Sequence, residues 1–114
     1  MDEEGTTDVA TEAAFRDANE QIAAKGEELG FEGPTPVLCE CARRGCTTIL
    51  RIDPDEYERV RAGGARFVVA PGHERGAPGA EVTAATDRYL VLEKQGERGV
   101  LAEKLDPRSR GEAA

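Results

Sequence analysis

The chain predicts an α+β domain: a small, mainly antiparallel sheet with N-terminal, central and C-terminal helices, in the order α-β-β-α-β-β-β-α. Three observations carry this. Phe15, Ala18, Ile22 and Leu29 recur at helical spacing. Short runs rich in Val, Leu, Ile and Thr are separated by turn residues. Between them, Asp53-Pro54-Asp55-Glu56 reads as a helix start.

Taken in order, residues 1–11 are polar and acidic, too poor in apolar surface to offset the entropy of ordering, and read as a disordered tail. The amphipathic stripe then places a helix over about residues 12–29, with Gly30 as its C-terminal cap. Asp17, Glu20, Glu27 and Glu28 fall off the stripe and are expected on the solvated face, as is Glu12. Val37–Glu40 and Thr47–Ile52 read as the two strands of a β-hairpin around a cysteine-bearing turn. Asp53 suits the N-cap, Pro54 the first helical position and Glu56 the third, and Gly63-Gly64 stops this helix after about Ala62. Tyr57 and Val60, three apart, form its inner face. Arg66–Ala70 is a short strand ending at Pro71-Gly72, and residues 71–80 are a loop. Glu81–Ala84 and Arg88–Glu93 are two strands about a Thr86-Asp87 turn. Gly99–Leu105 is a last helix, with Leu101 and Leu105 on one face and Pro107 as its stop. Residues 12–107 thus form one domain, and 108–114 a second disordered tail.

At 114 residues, with three Phe, two Tyr and no Trp, the core is built from Val, Leu, Ile and Ala, which leaves a metal cross-link much to contribute. Net charge is −8, of which Asp2, Glu3, Glu4, Asp8 and Glu12 supply five units. A negative surface repels phosphate backbones, so no nucleic-acid partner is expected. Apolar runs reach only four residues, Phe67–Ala70 and Tyr89–Leu92, so no membrane partner is expected either. With acidic residues after Met1 and no signal-like segment, the chain reads as cytoplasmic.

The chemistry concentrates in Cys39, Cys41 and Cys46, which are all the cysteines, and in the single histidine, His73. In a reducing compartment clustered cysteines point to metal or thiol chemistry rather than disulfides. Three thiolates and one imidazole make the donor set of a closed tetrahedral zinc site. Residues i and i+2 of a strand share a face, so Cys39 and Cys41 aim together while Glu40 points away. Arg43-Arg44-Gly45 turns the chain, Gly45 permitting a positive φ, and Cys46 returns on the partner strand. Arg43 and Arg44 offset the thiolate charge. His73 arrives 27 residues later, presented by Pro71-Gly72. The alternative is that the cysteines are small buried apolar groups of a hairpin. Elsewhere the signals are bland. Gly72–Gly79 lacks the Lys-Ser or Lys-Thr of a phosphate loop, Ser109 is the only serine and lies in a tail, and Arg51, Arg59, Arg61 and Arg66 are interleaved with acids as a mixed surface.

Phe15-Arg16, Asn19-Glu20, Cys39-Glu40-Cys41 with Cys46, Glu56-Tyr57-Glu58, Phe67-Val68-Val69, Pro71-Gly72-His73-Glu74 and Tyr89–Lys94 together resemble a family of small uncharacterised bacterial proteins, mostly actinobacterial. The resemblance spans about residues 15–94 and implies a cytosolic protein in which the cysteine cluster and the Pro-Gly-His-Glu turn occur together. It implies no activity.

The expectation is therefore a zinc-binding module with a structural Cys39–Cys41–Cys46–His73 site that engages another protein, because four protein ligands leave no open position for catalysis. A thiol-based redox or metal sensor is one alternative. A zinc hydrolase is another, with water in place of His73 and Glu74 or Glu40 as base.

Overall fold

A computed structural model of the chain describes residues 4–77 and 79–110. Three α-helices and two small antiparallel sheets make up the described residues, in the expected α+β order. Helix α1 runs Glu4–Glu28, β1 Thr35–Leu38, β2 Ile49–Ile52, α2 Pro54–Arg61, β3 Arg66–Val69, β4 Ala80–Ala85, β5 Leu90–Lys94 and α3 Gly96–Leu105.

Helix α1 departs most from the sequence reading. It starts at Glu4, so residues 4–11 of the expected tail are helical, while residues 1–3 lie outside the described residues. Val9 explains the earlier start: fully buried, it packs with Ala65, Phe67 and Ala102, and the neighbouring Asp8 pairs with Lys94 and Arg98. The buried face is also rotated from the expected one. Val9, Glu12, Ala13, Arg16 and Asn19 point inward, at spacings of three and four, whereas Phe15, Ala18 and Ile22 are half-buried and Leu29 is 57% exposed. Glu12, expected in solvent, is fully buried against Lys94 Nζ at 2.9 Å. Arg16 donates to the carbonyls of Gly64 (2.6 Å) and Ala102 (2.8 Å) and lies over the Phe67 ring. Glu20 binds Arg61 at 2.5 Å and Arg108 at 2.7 Å. Each inward charge thus meets an opposite charge or a carbonyl, the condition under which charged groups are tolerated inside a protein. At the C-terminal end, Gly30 adopts φ +72°, and the amides of Gly30 and Phe31 close back on the Glu27 and Gly26 carbonyls as a helix cap.

The single sheet that the sequence suggests is two. β1 and β2 pair in register Thr35↔Ile52 to Leu38↔Ile49, and β3, β5 and β4 lie in that order. The cysteine turn takes the chain out of the first ladder after Leu38, and the Glu40 amide, donating to Val68 O at 2.8 Å, ties the hairpin to β3. Helix α2 starts as expected: the Glu56 carboxylate reaches back to the Asp53 amide, and its other oxygen accepts from the Tyr89 hydroxyl at 2.5 Å. Tyr57 and Val60 are buried as expected, and so is Arg61, which belongs to no surface patch. Arg108 closes the far end from a 3₁₀ turn, Pro107–Arg110, bridging Glu20 and Glu58; residues 111–114 of the expected second tail lie outside the described residues. The main core joins Val37, Ile52, Tyr57, Val68 and Leu92 directly to Cys39 and Cys41.

Candidate metal centre

Four side chains from two parts of the chain converge on one point. Cys39 follows β1, and its amide donates to Thr48 O at 3.1 Å, extending the hairpin by one pair. Cys41 lies two residues on, and both are buried. Residues 43–46 form a tight turn closed by the Cys46 amide on Arg43 O at 3.1 Å. This turn is made without a positive φ at Gly45, contrary to the sequence expectation. Arg43 and Arg44 are exposed at its tip.

The histidine comes from the other sheet. After β3, Gly72 takes φ +93°, a conformation that residues with a Cβ avoid, and a short 3₁₀ segment begins at His73. The His73 amide donates to Ala70 O at 2.9 Å and the Gly72 amide to Glu74 Oε1 at 2.7 Å, so the turn is fixed from both sides. His73 Nδ1 stands 3.3 Å from Cys39 Sγ and 3.6 Å from Cys46 Sγ. One donor atom each from Cys39, Cys41, Cys46 and His73 lies within 4.8 Å of all the others. The structure thus brings together all four residues that the sequence singled out, from a hairpin and a turn 27 residues apart in the chain. This arrangement can hold a metal ion.

Backbone amides already address the sulfurs. Ala70 N–H donates to Cys39 Sγ at 3.2 Å, and the amides of Arg43 and Thr48 serve Cys41 and Cys46. Such N–H···S bonds orient thiolates and stabilise their charge. They do not suffice for all three. Burial pushes the Cys39 and Cys41 thiols up, and mutual repulsion adds to it. Cys46, half-buried, is drawn down despite its own desolvation because its hydrogen bonds, Thr48 foremost, outweigh it. Three thiolates packed this closely would repel one another without a cation among them, and the four donors are close enough together to hold a metal ion.

Asn19, to which the sequence reading gave no role, and Glu40, to which it gave another, build the support. The Asn19 side chain accepts from Leu38 N–H and donates to Leu38 O, both at 2.8 Å, standing in for a neighbouring strand beside β1. It also donates to Glu40 Oε2 at 2.8 Å, while Val68 N–H donates to Glu40 Oε1 at 2.9 Å. Glu40 does point away from the cysteines, but into protein: it is fully buried between α1 and β3. Asn19 was legible only as one of a row, Val9, Ala13, Arg16, Asn19 and Ala23, spaced by three and four.

Comparison with known proteins finds no matching family model, no matching curated protein and no matching solved structure. The site is therefore read from its own chemistry. Among the described residues, no helix is long and apolar enough to cross a membrane.

Proposed function

We propose that Cys39, Cys41, Cys46 and His73 hold one zinc ion, that this zinc is structural, and that the domain acts as a cytoplasmic, protein-binding accessory module. The observation that carries the metal assignment is the approach of His73 Nδ1 to two sulfurs at 3.3 and 3.6 Å. In a tetrahedral shell with Zn–S bonds of about 2.3 Å and a Zn–N bond of about 2.0–2.1 Å, sulfur and nitrogen stand about 3.6 Å apart. Three sulfurs and one imidazole complete four-coordination, so no position is left for a substrate or an attacking water. The two carboxylates that a zinc hydrolase could use are both engaged elsewhere: Glu74 caps its own turn, and Glu40 serves Asn19 and Val68.

Bound zinc joins residues 39–46 to residue 73 and so ties the hairpin to the end of β3. Its binding energy becomes folding energy. The resemblance to small actinobacterial proteins and the absence of a nucleic-acid partner remain part of this proposal. The test is elemental analysis of anaerobically prepared protein before and after chelation, followed by thermal melts. One zinc per chain, and a clear fall in melting temperature on its removal, is the expected result. Folded, metal-free protein with three free thiols would falsify the proposal. One observation favours a second reading, a thiol sensor: Cys46 is the least buried of the three sulfurs and gives peroxide one corner of entry. Zinc release under mild peroxide, reversed by thiol, would move the assignment there.

A further inference from the structure

A groove of about 610 Å³ opens between the C-terminal half of α1, the β1–β2 hairpin and the start of α2, and none of its lining residues belongs to the sulfur cluster. That volume lies within the range of about 300–1,000 Å³ typical of binding sites. The wall is apolar where it is deepest, with Val37 and Ile52 buried and Ala23 half-buried. Phe31, 63% exposed, also lines the groove. Tyr57, 2% exposed, lines the groove, and its hydroxyl has no hydrogen-bond partner among the described residues. Buried hydroxyls ordinarily have one, so this one awaits a partner.

The charge lining the groove is net negative: Glu20, Glu27, Asp55 and Glu58 face a single cation, Arg108. Glu20 and Glu58 are both taken up by Arg108. Glu27 and Asp55 line the same groove, are exposed, and have no ion pair among the described residues. An apolar trough with two uncompensated carboxylates on its edge selects an apolar body that carries positive charge.

We propose that this groove docks a peptide segment of a partner protein in which an apolar side chain is flanked by basic residues. The proposal rests on the binding-module reading and deepens it. The apolar side chain covers Phe31, which is otherwise wet, above the buried Val37 and Ile52, and an exposed aromatic is the residue type that anchors such contacts. The flanking cation pairs with Glu27 or Asp55, and a peptide carbonyl accepts the Tyr57 hydroxyl proton. The groove is also tied to the metal centre. Val37 lies two residues before Cys39 on the same strand face, and Val37, Ile52 and Tyr57 share one packed cluster with Cys39 and Cys41. A zinc-held hairpin therefore holds the groove wall.

The test is a titration of the zinc-loaded, isotope-labelled full chain, followed by nuclear magnetic resonance. The probe is a blocked hexapeptide with a leucine–phenylalanine centre and two arginines on either side; its counterpart carries glutamines for arginines. Shifts confined to Phe31, Val37, Ile52 and Tyr57 and their neighbours are expected, with at least tenfold weaker binding of the glutamine peptide. Glu27→Lys with Asp55→Lys is expected to weaken the arginine peptide at least tenfold. Ala24→Trp, a bulky group placed on an exposed helical position of the groove wall, should block it. Glu81→Lys with Glu97→Lys makes the same charge change at exposed positions outside the groove and should weaken it less than threefold. Each variant is checked for folded spectra and bound zinc. Unmoved groove resonances at millimolar peptide overturn the proposal, as do equal losses from the two charge reversals, which would mean general attraction to an acidic chain. A folded, zinc-loaded protein that ignores the peptide removes the groove and leaves the structural zinc standing. A folded protein without zinc removes the metal reading, and the groove is still judged by its own shifts.

Discussion

Replacing Asn19 by alanine should do more damage than any single hydrogen bond suggests. The asparagine serves three groups at once: the part-buried Leu38 N–H and C=O and the buried Glu40 carboxylate, each at 2.8 Å. Truncation leaves the Leu38 groups without their partner beside α1 and takes a donor from a carboxylate that is fully buried. Leaving one buried polar group unsatisfied costs about 1–3 kcal/mol, more when it is charged. With some relief from water entering the space, the total is about 3–5 kcal/mol, a large share of the roughly 5–15 kcal/mol that holds a domain together. At about 4–8 °C per kcal/mol for a domain of this size, the melting temperature should fall by more than 10 °C. Asn19→Asp should be at least as harmful, because it keeps the shape, loses both donated bonds and sets a second carboxylate against Glu40. Because Leu38 adjoins Cys39, the effect should also appear in metal affinity, measured by competition with a chromophoric chelator. A loss of less than about 1 kcal/mol in denaturant unfolding, with metal affinity unchanged, would refute the role given to Asn19.

Three further outcomes follow from the same contacts. Gly72→Val places a β-branched residue at φ +93°, where the added Cβ meets no atom within 4 Å, so the penalty is backbone strain of about 1–3 kcal/mol, and the displaced His73 should weaken metal binding as read by chelator competition. Arg16→Met removes both carbonyl contacts and the cation over Phe67; Gly64 O and Ala102 O lose a charged donor, and denaturant unfolding should show a loss of about 2–4 kcal/mol. Burial raises the Glu12 carboxyl from 4.5 to about 7 against the pull of Lys94, with Asp8 and Glu40 adding to the rise. The folded state then keeps a proton that the unfolded state releases, so this group's contribution falls as pH climbs from about 4.5 to 7. The stability of Glu12→Gln relative to the unmodified chain should therefore increase over that window, by about 3 kcal/mol at most, and a difference that moves the other way contradicts the assignment.

What could be read in the sequence was whatever is written locally. The Asp53-Pro54-Asp55-Glu56 start, the Gly30 cap and the Pro71-Gly72 turn each state their conformation within four residues. The four clustered residues were legible by inventory, since the chain has three cysteines and one histidine. The inward face of α1 was not, because apolar periodicity assumes that apolar residues go inside. Here Glu12, Arg16 and Asn19 go inside, and what admits them lies far along the chain: Arg16 meets Gly64 and Ala102, 48 and 86 residues away. The start of α1 was missed for the same reason. Val9 is a lone apolar residue in an acidic stretch until Phe67 and Ala102 close over it. The tie between the hairpin and β3 depends on Glu40 N–H meeting Val68 O, a pairing that no local pattern announces.

The central claim is a closed zinc shell of three sulfurs and one imidazole nitrogen. X-ray absorption at the zinc edge of the intact protein tests it most directly. The account predicts about one zinc per chain with three sulfurs near 2.3 Å and one nitrogen near 2.0–2.1 Å, the nitrogen lost in His73→Ala. A first shell holding an exchangeable water oxygen, or one unaltered by His73→Ala, would contradict it.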